Sequence, residues 1–194
     1  MPYSFWSHMP GTDLDPEAIS QKTYEFYKKY DFDFVKTMNN GMYAIEDFGC
    51  TVDYSEIVKG GVAKVVSTPI SCAADWRKLT VCPCTQGSNA RELRHLQLVL
   101  EKLKGEEVPV IFTAFTPITI ADKISGGKLI SYIEEGHGDD VKAALEVITE
   151  TTAQLVAAAI DMGADGIFLA SQLSGTCQSA LIARSIVDEE NIFV

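Results

Sequence analysis

Positive charge is scarce in this chain. Its 194 residues hold 16 lysines and arginines against 27 aspartates and glutamates, a formal net charge of −11. Nucleic-acid binding needs clustered basic side chains facing phosphates, so the composition argues against that class of partner. No stretch approaches the ~18 apolar residues of a membrane span. Residues 1–10 also lack the basic start and apolar run of a secretory leader. No membrane partner is expected, and the cytoplasm is the expected setting. Five cysteines, Cys50, Cys72, Cys82, Cys84 and Cys177, are odd in number and follow no framework spacing, so reduced thiols are expected. Cys82-Pro83-Cys84 is the only close pair. It offers zinc two soft ligands, but no second pair and no nearby histidine completes a set, and no metal site is predicted from it. Repeats, low-complexity tracts and linkers are absent too. With 46% hydrophobic residues the chain reads as one domain over residues 1–194.

What is present is an alternation of strands and helices. Asp15-Pro16-Glu17 spells a helix start, with a capping side chain, a proline at the first helical position and an acid facing the dipole. That helix runs to about Tyr30, and a strand over 32–38 follows at once. Residues 51–56 and 62–69 are β-rich and separated by Lys59-Gly60-Gly61, which predicts a hairpin. The periodicity of 89–104 predicts a helix closed by Gly105. A strand over 108–115 leads into short helices near 118–124 and 128–135. The longest helix opens at Asp139-Asp140 and ends at Gly163, and a strand over 164–170 follows. A helix near 178–187 and the start of a strand at 192–194 complete the pattern. The fold class is α/β, with three parallel strands adjacent in chain order and helices on one face.

The carboxyl ends of such strands are where ligands and catalytic groups collect. Three polar stretches sit there: Asn39-Asn40-Gly41, Thr116-Pro117-Ile118-Thr119 and Ser171-Gln172. Lys36, if it points inward, needs a carboxylate partner or an acidic ligand. A full (β/α)8 barrel typically takes ~250 residues, and this chain stops on an apolar run. It is therefore either a small open α/β domain or the N-terminal part of something larger.

Four stretches carry a resemblance. They are residues 5–14 (Phe-Trp-Ser-His-Met-Pro-Gly-Thr-Asp-Leu), Asp33 through Gly49, Thr116-Pro117-Ile118-Thr119-Ile120-Ala121, and Gly163-Ala164-Asp165-Gly166-Ile167. In order and spacing the chain resembles the uroporphyrinogen decarboxylase superfamily, which includes corrinoid-dependent methyltransferases. The resemblance implies a (β/α)8 TIM-type barrel of which about the first three βα units are present, with an N-terminal helix and a hairpin insertion. It also implies a tetrapyrrole or corrinoid as small-molecule partner, and either self-association or the remainder of the barrel.

The departures from that family are informative. True decarboxylases open with Met-Arg-Gln-Ala-Gly-Arg-Tyr-Leu, whose arginines hold substrate carboxylates. Aligned on Gly11 and Leu14, those arginines fall at His8 and Thr12. The family's aspartate after its first strand falls at Asn40. Arginine is a fixed, bidentate cation that neutral histidine or threonine does not replace. Asn40 keeps an acceptor oxygen without the charge. The resemblance therefore implies Asn40 and His8 in the catalytic positions. Trp6, Thr12, Thr116, Pro117, Thr119, Ser171 and Gln172 line the substrate side.

Ordinary alternatives exist for each: loop hydrogen bonding for His8, packing for Trp6, a turn for Asn40, helix capping for Thr116 and Ser171. A decarboxylase-like enzyme would need no cofactor. A methyltransferase would need zinc and a corrinoid, with zinc ligands past residue 194. A third reading is a non-catalytic chain that keeps the fold signals only.

Overall fold

The computed structural model describes residues 1–172. Helix α1, Pro16–Tyr30, starts where the sequence predicts, because Asp15 accepts hydrogen bonds from the Glu17 and Ala18 amides at 3.0 and 3.3 Å. It ends at Asp31, whose φ of 52° is left-handed. Strand β1 is only Val35–Lys36, shorter than the predicted 32–38. Phe32 instead joins an aromatic cluster with Tyr3, Phe5, Phe26 and Tyr30. At the other end the ladder passes to side chains. The Thr37 hydroxyl accepts from the Thr113 amide at 3.0 Å, and the Thr113 hydroxyl donates to the Thr37 carbonyl at 2.8 Å.

A one-turn helix α2, Tyr43–Glu46, precedes the expected hairpin, β2 (Thr51–Asp53) against β3 (Lys64–Ser67), antiparallel. Both arms are shorter than predicted, and residues 57–59 form a 3-10 turn in the connection. Helix α3, Gly87–Lys102, begins two residues before the periodicity suggests. The reason is a remote cap. Asp47 accepts from the Ser88 and Asn89 amides at 2.7 and 2.8 Å. Only glycine fits at 87, where φ is 68° and a Cβ would stand 2.1 Å from the Asp47 carboxylate.

Strand β4, Val110–Phe115, is followed by α4 (Pro117–Ile124) and α5 (Leu129–Tyr132). A π turn over Ile133–His137 then runs into α6, Gly138–Asp161, and β5, Gly166–Ala170, closes the sheet. The sheet order is β1-β4-β5, all parallel, as the alternation predicts. Val35, Val110 and Phe112 are buried in one core with Leu96 and Val99 of α3, Ile120 of α4, and Ile148 and Leu155 of α6, and Ala114 is buried too. By register, Lys36, Ile111, Thr113 and Phe168 occupy the opposite face, away from the α3, α4 and α6 residues of that core.

One expectation fails. The continuous helical run Leu129–Asp161, 33 residues, is long and apolar enough to cross a membrane by length and composition. Its apolar side has an ordinary explanation in packing, since Val141, Ala144, Leu145, Ile148, Leu155 and Ala159 are buried in the core. The helix predicted near 178–187, the strand at 192–194 and Cys177 lie outside the described residues.

Candidate functional site

The N-terminal segment arches over the carboxyl end of β1 and is tied down on both sides. Upstream, the Tyr3 amide donates to Asp33 at 2.6 Å and the Asp33 amide donates back to the Tyr3 carbonyl at 3.0 Å. Downstream, the Met9 carbonyl accepts from the Thr12 and Asp13 amides at 3.0 and 3.1 Å. Between these ties, His8 stands edge-on to Trp6, ring centroids 5.1 Å apart. His8 also faces Gly41, where a Cβ would lie 3.9 Å from its ring. Trp6 in turn covers Lys36, whose Nζ is 4.3 Å from its ring centroid.

Asn40 is 3% exposed, and its side chain is committed inside the loop. Its carbonyl oxygen accepts from the Met42 amide at 2.8 Å and lies 3.2 Å from the Tyr54 hydroxyl. That hydroxyl is also 3.0 Å from Glu46, which pairs with Arg91 at 2.9 Å. Tyr54 has a single proton, so it donates to one of the two acceptors at a time. The Asn40 side chain also favours the charged form of nearby Asp13. Asp13 is buried, and its Oδ1 has no hydrogen-bond partner among the described residues. Burial raises its carboxyl above the ordinary range, opposed by its own backbone, Asn40, Arg91 and His8. Thr12 flanks this carboxylate in sequence and its carbonyl accepts from the Asp15 amide at 3.1 Å.

The other two loops form a second group. Thr116 caps α4, its hydroxyl accepting from the Thr119 amide at 3.4 Å, and Pro117 takes the first helical turn. The two threonine hydroxyls are 2.8 Å apart. The Gln172 amide donates to Thr119 Oγ1 at 3.0 Å, and the Thr116 amide donates to the Ala170 carbonyl at 3.0 Å. Thr116, Pro117, Thr119, Ser171 and Gln172 are thus brought together. Trp6, His8, Thr12 and Asn40 form the other cluster. Lys123 links the two: it sits on α4, and its Nζ donates to the Gly41 carbonyl at 3.2 Å.

Of the two partners expected for an inward-pointing Lys36, a carboxylate or an acidic ligand, the structure bears on the carboxylate. Lys36 is buried, 8% exposed, yet no carboxylate among the described residues pairs with it. Its ammonium lies between the faces of Trp6 and Phe168, 4.3 and 4.5 Å from their centroids. Burial alone depresses its pKa to about 8. Burial also lowers that of Lys123, partly opposed by Asp122. Sequence reasoning missed Asp13, Tyr54, Lys123 and Phe168. The signal for Lys123 was available, because it follows Thr119 by four residues and so shares its helix face.

A model of the uroporphyrinogen decarboxylase (URO-D) family matches residues 7–187. Among solved structures, a methyltransferase from Methanosarcina mazei superposes with a TM-score of 0.68 at 20% identity, over 82% of this chain and 47% of that one. The chain therefore spans about half that protein's length, and at this identity the likeness is one of fold. No curated protein matches the sequence. The family match takes in the arch from Ser7 onward, the ends of all three parallel strands and the helices between them. The chain belongs to the uroporphyrinogen decarboxylase family.

Proposed function

We propose that this chain forms the first three βα units of a (β/α)8 barrel enzyme. It receives a tetrapyrrole or corrinoid between the N-terminal arch and the strand ends, and it does not decarboxylate uroporphyrinogen. The observation that carries this reading is the state of Asn40. Where the resemblance implies a charged aspartate facing substrate, this chain has a neutral amide whose oxygen already serves Met42 and Tyr54. His8 and Thr12 likewise stand at the arginine positions and bring no fixed charge. A positioned charge missing from a transition state typically costs ~10²–10³ in rate.

The test is an assay of the complete protein with uroporphyrinogen, with the oxidised porphyrins separated by carboxyl number. Little or no loss of carboxylate is expected. Robust turnover would return decarboxylation to first place. The triple variant His8→Arg, Thr12→Arg, Asn40→Asp should tighten porphyrinogen binding before it improves turnover, because the arginines hold carboxylates while the aspartate serves the charged intermediate.

The Methanosarcina neighbour favours a second reading, methyl transfer. It would require zinc and a corrinoid. Among the described residues no group of three or more His, Cys, Asp and Glu could hold a metal. The ligands would therefore lie outside residues 1–172, and no step is derived through them. The decarboxylase-like reading requires no cofactor, and both readings place the protein in the cytoplasm.

A further inference from the structure

In a chain so rich in acid, basic side chains find carboxylates easily. Lys22, Lys28, Lys59, Lys78, Arg77 and Arg91 each form an ion pair. Lys36 and Lys123 are more deeply placed than the paired lysines and form none among the described residues. This reverses the usual rule, since it is the buried cation that most needs a counter-charge. Among the described residues their compensations are aromatic faces, Trp6 and Phe168 for Lys36 and Phe115 for Lys123, plus the Gly41 carbonyl and the nearby charge of Asp122 for Lys123.

The position of the two lysines is equally specific. Lys36 ends β1 on the sheet face opposite the α3, α4 and α6 core, and Phe168 shares that face through Thr113 in the register. Lys123 holds the loop that immediately follows β1. Trp6 and Phe168 are 49% and 42% exposed, so broad apolar surface lies open beside the unpaired ammonium. An apolar flat surface next to a desolvated cation suits an anion carried on a flat, unsaturated body.

We propose that Lys36 is the principal anchor for a carboxylate of the ligand, that Lys123 is a second anchor at the rim, and that the ligand body lies against Trp6 and Phe168. The inference rests on the reading that the strand ends and arch form the ligand site, and it adds the groups that replace arginine there. A lysine kept charged without a protein partner lowers the stability of the free protein. Removal of Lys36 should therefore weaken binding while raising the melting temperature. A purely structural lysine would behave in the opposite way.

Calorimetric titration of the full chain with benzene-1,3-dicarboxylate, its neutral diamide and uroporphyrin tests this. The expected result is that the dicarboxylate binds and the diamide does not. Lys36→Met should weaken dicarboxylate binding about tenfold or more, the worth of a charge-assisted hydrogen bond. Lys36→Arg should retain most of it, and Lys123→Met should cost a smaller factor. Lys36→Met should also melt higher than the parent. Equal dicarboxylate binding by parent and Lys36→Met, or no binding by the parent, overturns the proposal. So does a Lys36→Met protein that melts lower or fails to fold. The underlying reading separates cleanly. If uroporphyrin does not bind but the dicarboxylate does in a Lys36-dependent way, the anchor stands and the tetrapyrrole falls. If uroporphyrin binds equally to parent and Lys36→Met, the tetrapyrrole stands and the anchor falls.

Discussion

At the scale of single residues, Lys36 makes a measurable difference to stability through its proton. Its pKa in the fold is about 8, below the ordinary lysine value of 10.5, and burial is the cause. Below pH 8 the amine is charged in both folded and unfolded chains, and the fold bears the whole desolvation cost. Between pH 8 and 10.5 only the folded form gives up the proton, so stability climbs with pH. Above 10.5 the difference is gone. A shift of this size corresponds to about 3 kcal/mol. Urea unfolding of Lys36→Met should therefore show a gain over the parent of up to about 3 kcal/mol at pH 7 that shrinks towards zero near pH 10.5. A pH-independent difference between the two would contradict the assignment. Much of this was not readable beforehand. That Lys36 points inward follows from strand alternation, but that aromatic rings would flank it depends on Trp6 and Phe168, 30 and 132 residues away in sequence. Asn40 and His8 were legible as positions through the resemblance. The commitment of the Asn40 oxygen to Met42 and Tyr54 was not, because hydrogen bonding of that kind is decided by how the hairpin packs.

At the scale of elements, the boundaries that moved all moved for side-chain reasons. Propensity and spacing located α1, the hairpin and the three parallel strands. They could not locate the end of β1, where threonine hydroxyls take over ladder bonds, or the start of α3, where a carboxylate 40 residues away supplies the cap. The α3 cap is the more instructive case. Asp47 satisfies two orphan amides at once, so Asp47→Ala should destabilise the protein by about 2 kcal/mol, the upper end for lost caps. Gly87→Ala should cost a similar amount, since its methyl group would displace the same carboxylate and sit at a positive φ. Thermal unfolding of the double variant provides the check. Because both changes remove one interaction, its loss should match that of the worse single variant; a fully additive loss would show that the cap and the glycine act separately.

At the scale of the whole molecule, the order β1-β4-β5 leaves the outer edges of β1 and β5 without a strand neighbour among the described residues. The face that carries Lys36 has Phe168 partly open, and Leu169 is partly open on the other face of β5. Unpaired edges and apolar patches of this kind attract further strands. The 194-residue chain on its own should therefore self-associate, unless the rest of a barrel covers it. Sedimentation velocity across a concentration series reads this directly, and a single stable monomer at every concentration would refute it.

The N-terminal arch works at all three scales through its length. Tyr3 is fastened to Asp33 beside the entry to β1, and Met9 closes the turn that leads into α1. Trp6 lies midway between those two ties, so its place above Lys36 is set by a count of residues. Such a span measures distance as a ruler does. Substitutions within it are free to vary in chemistry while keeping the aromatic in place, but adding or removing one residue slides every side chain on it past the site. In this segment spacing is a functional property in its own right, separate from the identity of the residues that occupy it.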